Sequence, residues 1–212
     1  MEASQYWDNK LEKYATADWA NIPSLFAEWV ISFLPATGSL LELGAGHGQD
    51  SRFFAEKGYK VVSTDYSERG IEHNRAKLSQ GLEKKISIQK VNIAEPLPFR
   101  DAMFDVVYSH LALHYFDKKT TESIVQEIHR VLKLGGVLAL LLNSTNDPEF
   151  GDGTKIEEDF FEIDGIQKRY FNLDTIRRFT KDFWEIVVDN KGETYKDRAK
   201  GTEHLIRFIG RK

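Results

Sequence analysis

The 212-residue sequence contains no cysteine. Disulfides, thiolate metal sites and cysteine nucleophiles are therefore excluded, and nothing marks an oxidising compartment. An excess of basic charge is also missing: 29 Lys and Arg stand against 33 Asp and Glu, a formal charge of −4. No domain-wide positive field favours duplex nucleic acid. The longest apolar run, Val137 to Leu142, is far shorter than the ~20 residues of a bilayer span. Met1 to Tyr14 mixes acids, bases and aromatics and does not read as a secretory signal. A soluble, cytoplasmic protein without a membrane partner is expected. Only 5 prolines are present and no repeat or low-complexity tract interrupts the chain, while 41% of residues are apolar. One domain over residues 1–212 with a single sizeable core follows.

Short apolar runs followed by longer segments of helical spacing recur along the chain, the signature of alternating strand and helix layers. Ser39 to Leu43 reads as a strand running into Gly44, Ala45, Gly46, His47, Gly48. A helix through Phe53, Phe54 and Ala55 follows and stops at Gly58. Lys60 to Thr64 is a second strand, ending before Asp65, and Ser67 caps a helix to about Gln80. Ile86 to Val91 is a third, after which Pro96 and Pro98 force a loop. Phe104 to Tyr108 is a fourth. An amphipathic helix carrying Ile124, Ile128, Val131 and Leu132 is expected to end at Gly135 and Gly136. Val137 to Leu142, apolar at every position, is expected in mid-sheet with both faces covered. Asp164 and Gly165 mark a small hairpin within Glu162 to Tyr170, Leu173 to Thr180 a helix, and Trp184 to Val188 with Leu205 to Ile209 a closing antiparallel pair. Residues 1–35 form an N-terminal helical segment in which Ser24 to Phe33 is one amphipathic helix.

The turn after the first strand carries the chemistry. Glycines between a strand and a helix let a cofactor approach the backbone, although a tight turn without a ligand would use them too. Dinucleotide turns read G-x-G-x-x-G with a pyrophosphate at the helix N-terminus. Here the pattern is G-x-G-x-G, Gln49 stands in the third glycine position and Glu42 lies just ahead. An acid there opposes a pyrophosphate and suits a cationic group such as an ammonium or sulfonium. Asp65, ending the second strand, can accept hydrogen bonds from ribose hydroxyls or cap the next helix. Tyr66 can pack on a purine, and Asn92 with the backbone of Ile93 can meet an adenine edge.

Taken in order, Leu41 to Gly48, Asp65, Val91-Asn92-Ile93, Phe104 to Ser109 and Leu132 to Gly136 resemble the motifs of the class I S-adenosylmethionine-dependent methyltransferases. The resemblance extends over roughly Leu40 to Asn143 and is closest in style to the methyltransferase-domain 11 and 25 sets and the tellurite-resistance group. It implies an α/β, three-layer, Rossmann-like fold with a mostly parallel seven-stranded sheet and an antiparallel last strand. It implies S-adenosyl-L-methionine as cofactor. Glu42, Gly44, Ala45, Gly46, Gly48, Gln49 and Asp50 would lie around its methionine part, Asp65 and Tyr66 at the ribose and base, Asn92 and Ile93 near adenine, and Ser109 and His110 near the sulfonium.

Methyl transfer from a sulfonium is an in-line displacement in which alignment and desolvation supply much of the catalysis. The segment Ser109-His110-Leu111 lacks the Asn/Asp-Pro-Pro-aromatic turn of enzymes that methylate exocyclic amines of adenine or glutamine. The absence of cysteine closes a covalent pyrimidine route. A small-molecule acceptor is expected. His110, His114 and Tyr115 are candidates for a general base or for orienting the acceptor. No metal site is expected, because the histidines lack a third ligand at a recognisable spacing. Residues 145–171 are a candidate acceptor-side insertion, and Tyr6, Trp7, Tyr14 and Trp19 either fold over the cofactor or dock a helix on the domain. Two alternatives stand beside the methyltransferase: an NAD(P)-dependent oxidoreductase, opposed by Gln49, and a non-catalytic relative binding nucleosides or partners.

Overall fold

The computed structural model describes residues 3–195 and 204–212. Its frame is a seven-stranded sheet of order β3-β2-β1-β4-β5-β10-β9. The strands are β1 (Ser39–Leu43), β2 (Lys60–Asp65), β3 (Ile86–Lys90), β4 (Phe104–His110), β5 (Leu132–Asn143), β9 (Trp184–Asp189) and β10 (Leu205–Arg211). The first five run parallel, and β10 is antiparallel to both β5 and β9. The chain leaves β1 toward β2 and β3, then returns to the other side of β1 for β4. This reversal opens a crevice at the carboxyl ends of β1 and β4, where open α/β sheets bind ligands.

The packing of Val137 to Leu142 within β5 shows why this stretch is apolar at every position. Leu138, Leu140 and Leu142 join one buried cluster with Leu41, Val107 and residues Ile124, Ile128 and Val131 of α5 (Lys118–Val131). The alternate residues Val137, Ala139 and Leu141 join the opposite cluster with α2 (Leu25–Val30) and α3 (Gln49–Glu56), through Phe26, Val30, Phe54 and Ala55. Successive side chains of a strand point to opposite faces, so a strand covered on both sides alternates between two cores.

Several boundaries differ from the sequence reading. The helix expected over Ser24 to Phe33 is α2 plus a 3-10 turn at Ile31–Phe33. Leu34 is extended because the following Pro35 disfavours a helical residue before it. The helix expected to reach Gln80, α4, covers only Glu68–Ala76; the Ser79 carbonyl accepts Leu82 N (2.9 Å) in a turn that brings Leu82 into the core. Helix α5 ends before the expected Gly135 and Gly136. Leu132 is already extended and pairs with Phe104, while Lys133 ion-pairs with Asp105 at 2.8 Å. The hairpin at Asp164 and Gly165 belongs to a three-stranded sheet of β6 (Thr154–Glu157), β7 (Phe160–Ile163) and β8 (Ile166–Arg169). Both turn residues have positive φ, 52° and 78°, as a two-residue hairpin turn requires. The insertion is tied to the domain by Arg169 N, which donates to the His114 carbonyl (2.7 Å). Helix α6 (Leu173–Phe179) then leads to β9. Among the described residues no helix is long and apolar enough to cross a membrane.

Candidate active site

The glycine turn is stitched to β2. Gly44 N and Ala45 N donate to the Thr64 carbonyl at 2.9 and 2.8 Å, and Gly46 N donates to Asp65 Oδ2 at 2.7 Å. Two of its glycines are dictated by the protein itself. Gly44 (φ 76°) abuts Ala112, and Gly48 (φ 71°) abuts the side chain of Asn74 so closely that a Cβ at either would overlap its neighbour. The expectation that all three glycines serve cofactor approach is narrowed: Gly44 and Gly46 line the cleft and Gly48 does not, and an added Cβ at Gly46 would meet only Leu11 Cδ2, at 3.4 Å.

Beneath the turn lies a buried polar network. Ser51 Oγ donates to Glu42 and lies 2.7 Å from Ser63 Oγ, which also accepts from Asn74 Nδ2 at 2.8 Å. Asp50, in the first turn of α3, accepts from Ser24 N (2.7 Å), Ser24 Oγ (2.7 Å) and Tyr108 Oη (2.6 Å). These partners make Asp50 an anchor for the entry of α2 as well as a lining residue. Burial, and then the charge of Asp50, push the Glu42 carboxyl well above its usual range. Gln49 lines the cleft, and its Oε1 is buried without a hydrogen-bond partner. Asp65 is likewise pushed up by burial, partly offset by its bonds from Ser67 N and Gly46 N. Those bonds leave further acceptor positions on both carboxylate oxygens.

The cleft encloses about 830 Å³, toward the upper end of the ~300–1,000 Å³ usual for small-molecule sites. Tyr66, Asn92 and Ile93 border it at the ends of β2 and β3. Asn92 also makes a local turn, its Oδ1 accepting Ala94 N (3.1 Å) and its Nδ2 donating to Glu95 (3.0 Å). Past β4, His110, Leu111, Ala112, Tyr115 and Phe116 form the opposite wall. Leu111 holds a positive φ of 56° there, an unfavourable conformation for a branched residue and one that clusters at functional sites.

Two further candidates, besides Gly48, fall elsewhere. Ser109 is buried, donating to the Leu43 carbonyl at 2.9 Å, and does not line the cleft. His114, expected at the mouth, is 1% exposed, packs against Tyr115 with ring centroids 4.3 Å apart, and leaves Nδ1 unpartnered. Burial, followed by the nearby Lys168, Lys10 and His110, lowers its pKa to about 3. His114 is therefore a weak base and lies outside the residues that line the cleft.

The roof is α1 (Ala3–Tyr14), which supplies Trp7, Lys10, Leu11 and Tyr14 to the lining. Three ties hold it. Asp8 accepts from Ser67 Oγ (2.5 Å), the Leu11 carbonyl meets His47 Nε2 (2.9 Å), and Glu12 pairs with His73 (3.0 Å). Burial, then Lys77, lowers His47 to about 4, so at neutral pH its ring donates to that carbonyl uncharged. Of the four aromatics posed for this role, Trp7, Tyr14 and Trp19 line the cleft and Tyr6 does not. The roles of Asp8 and His47 had no sequence signal, since each acts through a partner far along the chain. Asp147, Pro148 and Glu149, after β5, close the far end, whereas the Asp164/Gly165 hairpin stands away from it.

Residues 41–140 match the sequence profile of the family described as "Methyltransferase domain". An uncharacterized methyltransferase of Synechocystis is 36% identical over 102 residues, 48% of this chain and 45% of that protein. A sarcosine/dimethylglycine N-methyltransferase of Halorhodospira halochloris is 36% identical over 100 residues, 46% of this chain and 34% of its own length. The chain spans about half the length, or less, of the curated relatives it matches. The 1,6-didemethyltoxoflavin-N1-methyltransferase of Burkholderia thailandensis, solved with its substrate and S-adenosylhomocysteine, superposes with a TM-score of 0.74 at 17% identity, over 100% of this chain and 91% of that one.

Proposed function

We propose methyl transfer from S-adenosyl-L-methionine to a small-molecule acceptor for this chain, whose residues 41–140 match the methyltransferase-domain family and whose fold is shared with solved S-adenosylmethionine-dependent methyltransferases. The observation that carries this reading is the floor of the cleft, where Gln49 Oε1 is buried without a partner and the Glu42 carboxyl also lines the space. An unsatisfied buried acceptor calls for a donor from outside the protein, and an amino-acid ammonium supplies one. A pyrophosphate would bring more acceptors and more negative charge, so the nicotinamide alternative fits this floor poorly.

On this reading Asp65 receives the ribose hydroxyls on its remaining lone pairs, and Ile93 with Tyr66 flanks the adenine. Asn92 meets the base edge with whatever hydrogen-bonding capacity its local turn leaves. The bound cofactor supplies a methyl group already activated on a sulfonium. The chain's task is then to align an acceptor with that methyl and to exclude water, for which the α1 roof is built. His110 is the candidate to receive a proton where the acceptor must lose one; His114 and Tyr115 shape the wall behind it. The sarcosine/dimethylglycine and 1,6-didemethyltoxoflavin enzymes act on small molecules, which supports the small-molecule class, while a malonyl-[acyl-carrier protein] O-methyltransferase of Enterobacter lignolyticus, 31% identical over 115 residues, is named for an oxygen acceptor. The test is thermal unfolding with added ligand: S-adenosylhomocysteine is expected to raise Tm in a concentration-dependent way and NAD(P) to leave it unchanged. Stabilisation by NAD(P) alone would refute the proposal.

A further inference from the structure

The half of the cleft beyond the ends of β4 and β5 differs chemically from the half around the glycine turn. It is lined by the rings of Trp7, Tyr14, Trp19, Tyr115 and Phe116 and closed by Asp147 and Glu149. Trp7 and Tyr115 meet edge to face with centroids 4.6 Å apart, and Tyr14 and Trp19 do so at 5.3 Å. Among the described residues the lining of the whole cleft includes five carboxylates (Glu42, Asp50, Asp65, Asp147 and Glu149), one ammonium, Lys10, and no arginine. Lys10 Nζ donates to Tyr6 Oη at 2.9 Å and lies 5.3 Å from the ring centroid of Trp7. Glu149 is ion-paired with Lys168, whereas Asp147 uses Oδ1 to accept Glu149 N at 2.9 Å.

We infer that this lobe takes an amine acceptor, with its substituents packed among the rings, and selects against carboxylate, phosphate and phenolate acceptors. The inference rests on the methyltransferase reading of the same cleft. Aromatic faces attract alkylammonium groups, and among the described residues the lining offers an anion no guanidinium fork to hold it. The reaction's charge flow points the same way. The lone pair of a neutral tertiary amine forms the new N–C bond while the S–C bond breaks with its electron pair returning to sulfur. Sulfonium and amine thus become thioether and quaternary ammonium, with no proton to dispose of. The positive charge therefore migrates from the floor of the glycine turn into the aromatic, acidic lobe as the transition state is crossed. Groups that favour charge where it develops accelerate the step. With an anionic acceptor the charge would instead vanish, and these groups would oppose the reaction.

The test uses the full chain saturated with S-adenosylhomocysteine and three probes of equal shape: choline, its uncharged carbon analogue 3,3-dimethyl-1-butanol, and the anion 3,3-dimethylbutanoate. Binding is read from the indole N–H resonances of Trp7 and Trp19. Choline is expected to bind about tenfold or more tightly than the alcohol, with the carboxylate weakest. Asp147→Asn combined with Glu149→Gln is expected to reduce the choline preference severalfold while leaving S-adenosylhomocysteine affinity unchanged. Equal binding of choline and the alcohol, stronger binding of the carboxylate, or no perturbation by any probe would overturn the inference while leaving the methyltransferase reading intact. Failure of S-adenosylhomocysteine to bind in the first step would remove both.

Discussion

Replacing Glu42 by Gln keeps the size and the hydrogen bond from Ser51 but removes a buried charge. Burial and Asp50 hold the Glu42 pKa well above its ordinary value. A carboxyl whose folded pKa exceeds its unfolded one stabilises the fold fully below the unfolded pKa, and that contribution is lost as pH rises through the folded pKa. Above that folded pKa the ionised side chain is a liability in the free protein, and Glu42→Gln is there expected to raise Tm. Its effect on the cofactor runs the other way. A hydrogen bond to a charged group contributes about 1.5–3 kcal/mol, and two unit charges about 5 Å apart at an effective dielectric near 20 interact by about 3 kcal/mol. Loss of the carboxylate is thus expected to weaken S-adenosylmethionine about 10- to 100-fold. Titration calorimetry provides the assay and 5′-deoxy-5′-methylthioadenosine the control: lacking the ammonium, it is expected to bind wild type and variant alike. Wild-type affinity for the cofactor should also fall toward the variant's as pH drops and Glu42 protonates. Equal losses for both ligands, or unaltered cofactor affinity, would refute the assignment of Glu42 to the ammonium.

Gly48→Ala is expected to destabilise the fold by about 1 kcal/mol for the positive φ alone and by more from the overlap with Asn74. The double variant Gly48→Ala/Asn74→Ala should recover part of that loss in guanidinium denaturation, and no recovery would place the cost in the backbone. His114 and His47, with pKa values lowered to about 3 and about 4, are neutral in the fold and charge on unfolding. Their contribution is fully present above the unfolded pKa of about 6.5 and is lost as pH falls through the folded values. Each should make stability drop by up to about 1.4 kcal/mol per pH unit across that window. His114→Asn should flatten the dependence measured between pH 7 and 5, and an unchanged slope would show that folding does not lower the pKa of this imidazole.

The parts of this fold that sequence made legible are those with a local physical signature. The glycine turn, the Ser67 cap and the two-sided apolar run of β5 each express one rule of backbone or packing within a few residues. The missed features depend on distant partners. Leu132 and Lys133 leave the helix because Phe104 and Asp105 await them on β4. Strand β6 is polar and exposed and carries no alternation to read. His114 looks like a helix-start surface residue until the insertion lies over it and Arg169 bonds its carbonyl. In the site, the carboxylates at the strand ends were evident from position. That Gly44 and Gly48 answer to Ala112 and Asn74, and that α1 is latched by Asp8, Leu11 and Glu12, required the three-dimensional neighbours.

A crystal structure of the full chain with S-adenosylhomocysteine tests most directly whether this crevice is built for a cationic adenosyl amino acid. The account predicts the ribose on Asp65, the adenine beside Ile93 and Tyr66, and the amino group against Gln49 and Glu42 over Gly46. Density for the ligand anywhere else, or an amino-acid end pointing away from the glycine turn, would contradict it.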